Sequence, residues 1–132
     1  MTDLQTDAEG RLRHLLSLEG LPRPELERLL ERAQQLTADA HGGTAQRGVL
    51  AGKAVCTLFF EPSTRTRSSF SLAAQRLGAD LLNFDASTAS TTKGEADLDT
   101  LKTLEAMGVH AFVVRHKRDG AVAELAAAAA PG

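Results

Sequence analysis

The chain has no tryptophan, no tyrosine and a single cysteine, and its charge is nearly balanced, with 15 Lys and Arg against 17 Asp and Glu. Each shortage closes off a class of function. Five phenylalanines are the whole aromatic supply, and no basic run interleaves with them, so the chain offers neither a stacking platform nor a cationic stripe for nucleic acid. A net charge of −2 exerts no general pull on phosphates, so any anion site must be a local pocket. Cys56 cannot close an intramolecular disulfide, and its place inside an apolar run makes a buried, inert thiol the expected role ahead of a nucleophile. No apolar run reaches the roughly 18 residues of a membrane span, because Glu124 interrupts the alanine-rich tail. The opening Met1 to Asp7 is acidic and lacks the basic start and apolar centre of a secretory signal, which leaves the cytoplasm as the expected compartment.

What remains is the composition of an ordinary soluble domain, 132 residues with 42% apolar and 24% charged. Residues 1–11 carry little apolar content and read as a flexible arm, with one domain over 12–132. An apolar patch at Leu15, Leu16 and Leu18 ends at Gly20. Beyond Pro22 and Pro24, the spacing of Leu26, Leu29, Leu30, Ala33 and Leu36 predicts an amphipathic helix. Ala54 to Phe60 is short, β-branched and aromatic, which predicts a buried strand. Phe70, Ala73, Ala74 and Leu77 then mark an apolar helical stripe that stops at Gly78.

The pattern repeats: a strand over Asp80 to Phe84, a helix over Ala96 to Met107 with Leu98, Leu101 and Leu104 inside and Asp97 outside, a strand over Val109 to Val114, and a helix over Ala121 to Ala130. Strands alternating with helices at this spacing predict an α/β fold, a parallel sheet with helices on both faces and right-handed crossovers. The chain stops at Pro131-Gly132, where another strand is expected, so the domain reads as truncated. In such sheets ligands sit beyond the carboxyl ends of the strands. That edge collects Glu61 to Thr66 after the first strand, Asp85 to Lys93 after the second and Arg115-His116 after the third.

Between the first strand and its helix runs Phe59-Phe60-Glu61-Pro62-Ser63-Thr64-Arg65-Thr66-Arg67-Ser68-Ser69-Phe70. Ser63 is a natural N-cap, so the N–H groups of Thr64, Arg65 and Thr66 point out of the first turn and favour an anion. Ser63, Thr64 and Thr66 supply hydroxyls, and Arg65 a planar fork suited to phosphate or carboxylate. Arg67 lies roughly 200° further round the helix and is expected in a structural ion pair. The plainer alternative is a capped helix with two solvated arginines. Arg115 ends an apolar strand, where a cation needs an anion or a partner; Glu61 and Asp119 are the candidate partners. His110 and His116 read as structural or surface groups, since no set of Cys, His or carboxylate residues has metal-ligand spacing. The loop Asp85 to Glu95 is long and built of small polar residues, either mobile or functional.

The Phe59 to Phe70 stretch, Thr91-Thr92-Lys93-Gly94-Glu95 and Val113-Val114-Arg115-His116, in this order, closely resemble the catalytic chain of the aspartate carbamoyltransferase family, over about residues 12 to 130. The first motif is shared with ornithine carbamoyltransferase; Glu61-Pro62 and the Thr-Lys-Gly-Glu loop resemble the aspartate enzyme. The resemblance implies that Ser63, Thr64, Arg65, Thr66 and Arg115 bind carbamoyl phosphate, with Thr66 and Arg115 polarising its carbonyl. It also implies that Lys93 and a loop serine, Ser90 in preference to Ser87, reach a neighbouring subunit's site in a homotrimer. The implied reaction carbamoylates L-aspartate in pyrimidine synthesis without metal, cofactor or covalent enzyme intermediate, and regulatory or other pathway subunits are conceivable partners. The family's downstream His-Pro-Thr-Gln motif and aspartate-binding domain have no counterpart here, so the chain alone is expected to be inactive. Alternatives are ornithine carbamoyltransferase and a non-catalytic anion-binding or oligomerisation module.

Overall fold

The computed structural model describes residues 4–40, 48–86 and 93–130, excepting the side chains of 38–40 and 93–95. The chain divides into two compact units, Met1–Gln46 and Arg47–Gly132, a boundary well beyond the residue 11 suggested by composition.

In the first unit, the stretch expected to be an arm is hydrogen-bonded around Gln5, only 7% exposed. The Gln5 carbonyl accepts the N–H groups of Arg13 and His14, at 2.6 and 3.2 Å, and its side-chain Oε1 accepts those of Leu16 and Ser17, both at 2.7 Å. A buried residue whose backbone carbonyl and side-chain oxygen each accept two backbone donors explains how a segment poor in apolar residues holds a defined path. Helix α1 (Arg23–Ala40) follows.

The second unit begins with β1 (Ala54–Phe59), followed by α2 (Thr64–Arg76), β2 (Asp80–Asp85), α3 (Lys93–Ala106), β3 (Ala111–Arg115) and α4 (Ala121–Ala128). The strands form a parallel three-stranded sheet in the order β2-β1-β3. Phe59 aligns with Asp85 on one side and Arg115 on the other, so the carboxyl ends are level. Gly78 and Gly108, at φ 84° and 99°, end the two central helices in the same way. The N–H of each bonds the carbonyl three residues back, and the next N–H reaches five residues back, from Ala79 to Ala74 and from Val109 to Leu104. This left-handed closure suits glycine and turns each chain directly into its following strand.

Alternation along β1 sorts the core. Cys56 and Leu58 share one face with Phe60, Leu82, Phe84, Phe112 and Val114, packed against Leu104 of α3. Thr57 and Phe59 occupy the other, where α2 lies: Thr57 Oγ1 and Ser71 Oγ both donate to Asn83 Oδ1, at 2.5 and 3.0 Å. Helices therefore cover both faces. The α2 stripe is rotated from the expected one. Ala74 is buried, but Phe70 is 46% exposed, because the inward line runs through Arg67, Ser71 and Ala74, whose small residues let the helix settle onto the Thr57–Asn83 pair. Helix α3 starts at Lys93, earlier than the expected Ala96, and β3 starts at Ala111 rather than Val109. At the far end of α4, Lys102 Nζ donates to the Ala128 carbonyl and Glu105 Oε2 accepts the Ala130 N–H, so α3 supplies the groups that stop α4 short of Ala130.

Cys56 is fully buried, and desolvation pushes its thiol from the ordinary 9.0 up to about 11. The folded state then holds its proton over a range where the unfolded chain has released it, so stability is fully present below pH 9.0 and falls as pH rises towards about 11. Urea titrations at stepped pH should show this decline, and Cys56→Ala should flatten it. Among the described residues no helix is long and apolar enough to cross a membrane.

Candidate functional site

The carboxyl ends of all three strands are tied to one another beyond the ladder: Phe60 N–H donates to the Arg115 carbonyl at 2.8 Å, joining β1 to β3, and Ala86 N–H donates to the Phe59 carbonyl at 2.8 Å, joining β2 to β1. Over this edge the Arg115 guanidinium draws the site together. Its Nε donates to Glu61 Oε1 at 2.8 Å, and its Nη1 donates to Ser63 Oγ at 3.0 Å and Thr66 Oγ1 at 3.2 Å. Of the two carboxylate partners the sequence offered for Arg115, the structure pairs it with Glu61, and the same guanidinium also reaches Ser63 and Thr66. Asp119 is not its partner.

Ser63 occupies the position before α2, extended at φ −160° and ψ 89°, but its hydroxyl makes no capping hydrogen bond. The expected side-chain cap is absent because Arg115, a charged donor, engages the same oxygen more strongly than a neutral backbone amide does. The first turn of α2 thus keeps its N–H groups uncapped by Ser63 while two hydroxyls and a guanidinium gather beside it. Thr64 and Arg65 are exposed on that turn, and Arg65 has no ion-pair partner among the described residues.

Arg67 faces elsewhere, as the helical angle requires, but without the expected ion pair. Its guanidinium lies 5.0 Å from the centre of the Phe59 ring, and its buried Nε and Nη2 have no hydrogen-bond partner among the described residues. A cation over an aromatic face contributes about 0.5–2 kcal/mol. Lys93 opens α3 instead of lying in a loop; Ser87 and Ser90 lie outside the described residues.

Sequence reading missed one polar group at this edge. Asp97, expected to face outwards, is 19% exposed in its side chain and lies 3.0 Å from Nε2 of His116, itself 10% exposed. Nδ1 of His116 accepts the Arg118 N–H at 3.0 Å, and its ring lies 4.7 Å from that of Phe60. The legible signal was alternation, which puts 116 on the face opposite 115. His110 Nδ1, at the other end of the sheet, accepts the Ala54 N–H at 2.9 Å and is structural. No group of three His, Cys, Asp or Glu residues among the described residues is arranged to hold a metal ion.

Three comparisons bear on this site. Residues 13–131 match the family described as aspartate/ornithine carbamoyltransferase, carbamoyl-P binding domain. The aspartate carbamoyltransferase catalytic subunit of Xanthomonas axonopodis pv. citri (strain 306) is 70% identical over 132 residues, which is all of this chain and 42% of that relative. The chain therefore spans less than half the length of the curated relatives it matches. The solved aspartate transcarbamoylase from Trypanosoma cruzi in complex with carbamoyl phosphate is 32% identical with a TM-score of 0.75, over 98% of this chain and 41% of that one. Ornithine carbamoyltransferase from Thermus thermophilus gives 32% and 0.74, over 87% and 38%, so the fold alone does not separate the two enzymes. With nearly its whole length matched and its sheet carrying the Arg115 cluster at the expected edge, the chain belongs to the aspartate/ornithine carbamoyltransferase family as its carbamoyl-P binding domain.

Proposed function

We propose that this chain binds carbamoyl phosphate at the start of α2 and forms the carbamoyl-phosphate half of an aspartate carbamoyltransferase. The observation that carries this reading is the Arg115 guanidinium bonded to Ser63 and Thr66 beside the uncapped first turn of α2. Ser63, Thr64 and Arg65 hold the phosphate, aided by the helix N-terminus. Thr66 and Arg115 face the carbonyl, whose oxygen gains charge as the aspartate amine adds to its carbon. The carbon–oxygen bond to phosphate then breaks, and phosphate leaves as the amine nitrogen gives up a proton, which the departing phosphate can take. Preorganised donors and cations stabilise both developing charges, and holding the two reactants together supplies much of the remaining acceleration.

The name carried by the 70% identical relative favours aspartate over ornithine as acceptor. The resemblance further suggests a cytoplasmic homotrimer serving pyrimidine synthesis, in which Lys93 and Ser90, or Ser87, complete a neighbouring subunit's site. The chain covers 42% of that relative's length, and the resemblance assigns aspartate binding to the remainder, so this chain by itself should bind phosphate and form no N-carbamoyl-L-aspartate.

Calorimetric titration with inorganic phosphate and carbamoyl phosphate tests the site. Arg65→Ala should weaken binding by about 1.5–3 kcal/mol with the melting temperature nearly unchanged. Arg67→Ala should destabilise the fold by about 1 kcal/mol and leave binding intact. Loss of binding in a folded Arg67→Ala protein would mean the two arginines have exchanged roles, and no binding by the unaltered chain would sink the reading.

A further inference from the structure

Arg115 and His116 are consecutive residues at the carboxyl end of β3, and the pleat sends them to opposite faces. Arg115 turns to α2, bonding Ser63 and Thr66. His116 turns to α3, with one face of its ring against Phe60, Nδ1 taken by the Arg118 N–H and Nε2 by Asp97. Because Nδ1 is an acceptor, Nε2 carries the proton in the neutral ring and donates it to Asp97 Oδ2. Phe60, which stacks on this ring, also donates its backbone N–H to the carbonyl of Arg115. The peptide between 115 and 116 is thus anchored from both neighbouring elements.

Asp97 is a carboxylate, and whatever its charge adds at this end of the sheet opposes anion binding, so a favourable contribution from it has to act through the side chain it holds. We propose that Asp97 and His116 are positioning residues for Arg115, a latch from α3 that sets the direction in which the guanidinium leaves the strand. The proposal rests on the carbamoyl-phosphate reading above. Without the latch, the end of β3 keeps the Phe60 N–H on the Arg115 carbonyl but loses its tie to α3, and a side chain as long as arginine's magnifies even a small turn into displacement from Ser63 and Thr66. Misplacement of this kind weakens a charge-assisted contact without removing either partner.

The two effects of Asp97 differ in sign, which makes the proposal testable. Carbamoyl phosphate and inorganic phosphate are titrated into the unaltered chain, Asp97→Ala and Asp97→Asn, and into Arg115→Ala with and without Asp97→Ala, with thermal melts alongside. Asp97→Ala should weaken binding about fivefold to tenfold, although it removes a negative charge. Asp97→Asn keeps an oxygen for the Nε2 proton and should bind at least as tightly as the unaltered chain. In the Arg115→Ala background, Asp97→Ala should change affinity by less than about twofold, since the latch acts only through Arg115. Should Asp97→Ala fail to fold, Asp97→Ser, too short to reach the ring, replaces it. Unchanged or tighter binding by Asp97→Ala, a lowered melting temperature alone, or an undiminished effect without Arg115 would each overturn the latch. Failure of the unaltered chain to bind either anion would instead remove the functional reading on which it rests.

Discussion

Replacing Arg115 by alanine is expected to lower the affinity for phosphate by about a hundredfold while leaving the fold in place. The side chain is 45% exposed, so its removal opens no cavity in the core. Two losses combine at the site. The guanidinium no longer offers a charge-assisted hydrogen bond, a contribution of about 1.5–3 kcal/mol. Glu61, whose Oε1 now accepts from Arg115 Nε, is left as an unpaired carboxylate facing the anion. Glu61→Gln should act in the opposite direction and tighten binding, because it frees the guanidinium from a competing carboxylate. Calorimetry on both variants at low and moderate salt reads the two signs. An Arg115→Ala chain that binds phosphate as the unaltered chain does would show that Arg115 serves Glu61 alone.

The second large effect concerns Lys93. On the proposed reading of a homotrimer with shared sites, Lys93→Ala and Arg65→Ala versions of a chain extended to the length of its relatives should each be nearly inactive, since every site then lacks one of the two cations. After dissociation and random reassembly of the two proteins, some sites combine an intact Arg65 from one subunit with an intact Lys93 from its neighbour. N-carbamoyl-aspartate formation should return in the mixture. Closed symmetric assembly presents the same surface to every neighbouring site, so on the proposed reading the contribution of Lys93 depends on the interface. If hybrids form and remain as inactive as their parents, Lys93 serves its own chain.

Both predictions depend on contacts that the linear sequence shows unequally. Strand–helix alternation, the glycine stops at 78 and 108 and the gathering of Glu61 to Thr66 and Arg115 at one sheet edge were legible, because each follows from local periodicity or from a rule of parallel topology. The inward face of α2 was not. Phe70 has the right spacing for a core residue, yet it is exposed, since the helix packs through Arg67, Ser71 and Ala74 against a polar Thr57–Asn83 pair that only β1–β2 pairing creates.

The same division holds within the site. The order of residues was enough to mark the start of α2 as a candidate anion site, because the orphan N–H groups of a first turn and the chemistry of Ser, Thr and Arg are local properties. What the tertiary structure decided was how that chemistry is shared. The Ser63 hydroxyl turns from its own backbone to Arg115, 52 residues away, since a guanidinium is the stronger donor. Asp97 and His116 become a pair only because α3 covers the face of the sheet opposite α2, and no pattern read along one strand or one helix reports which helix lies on the other side.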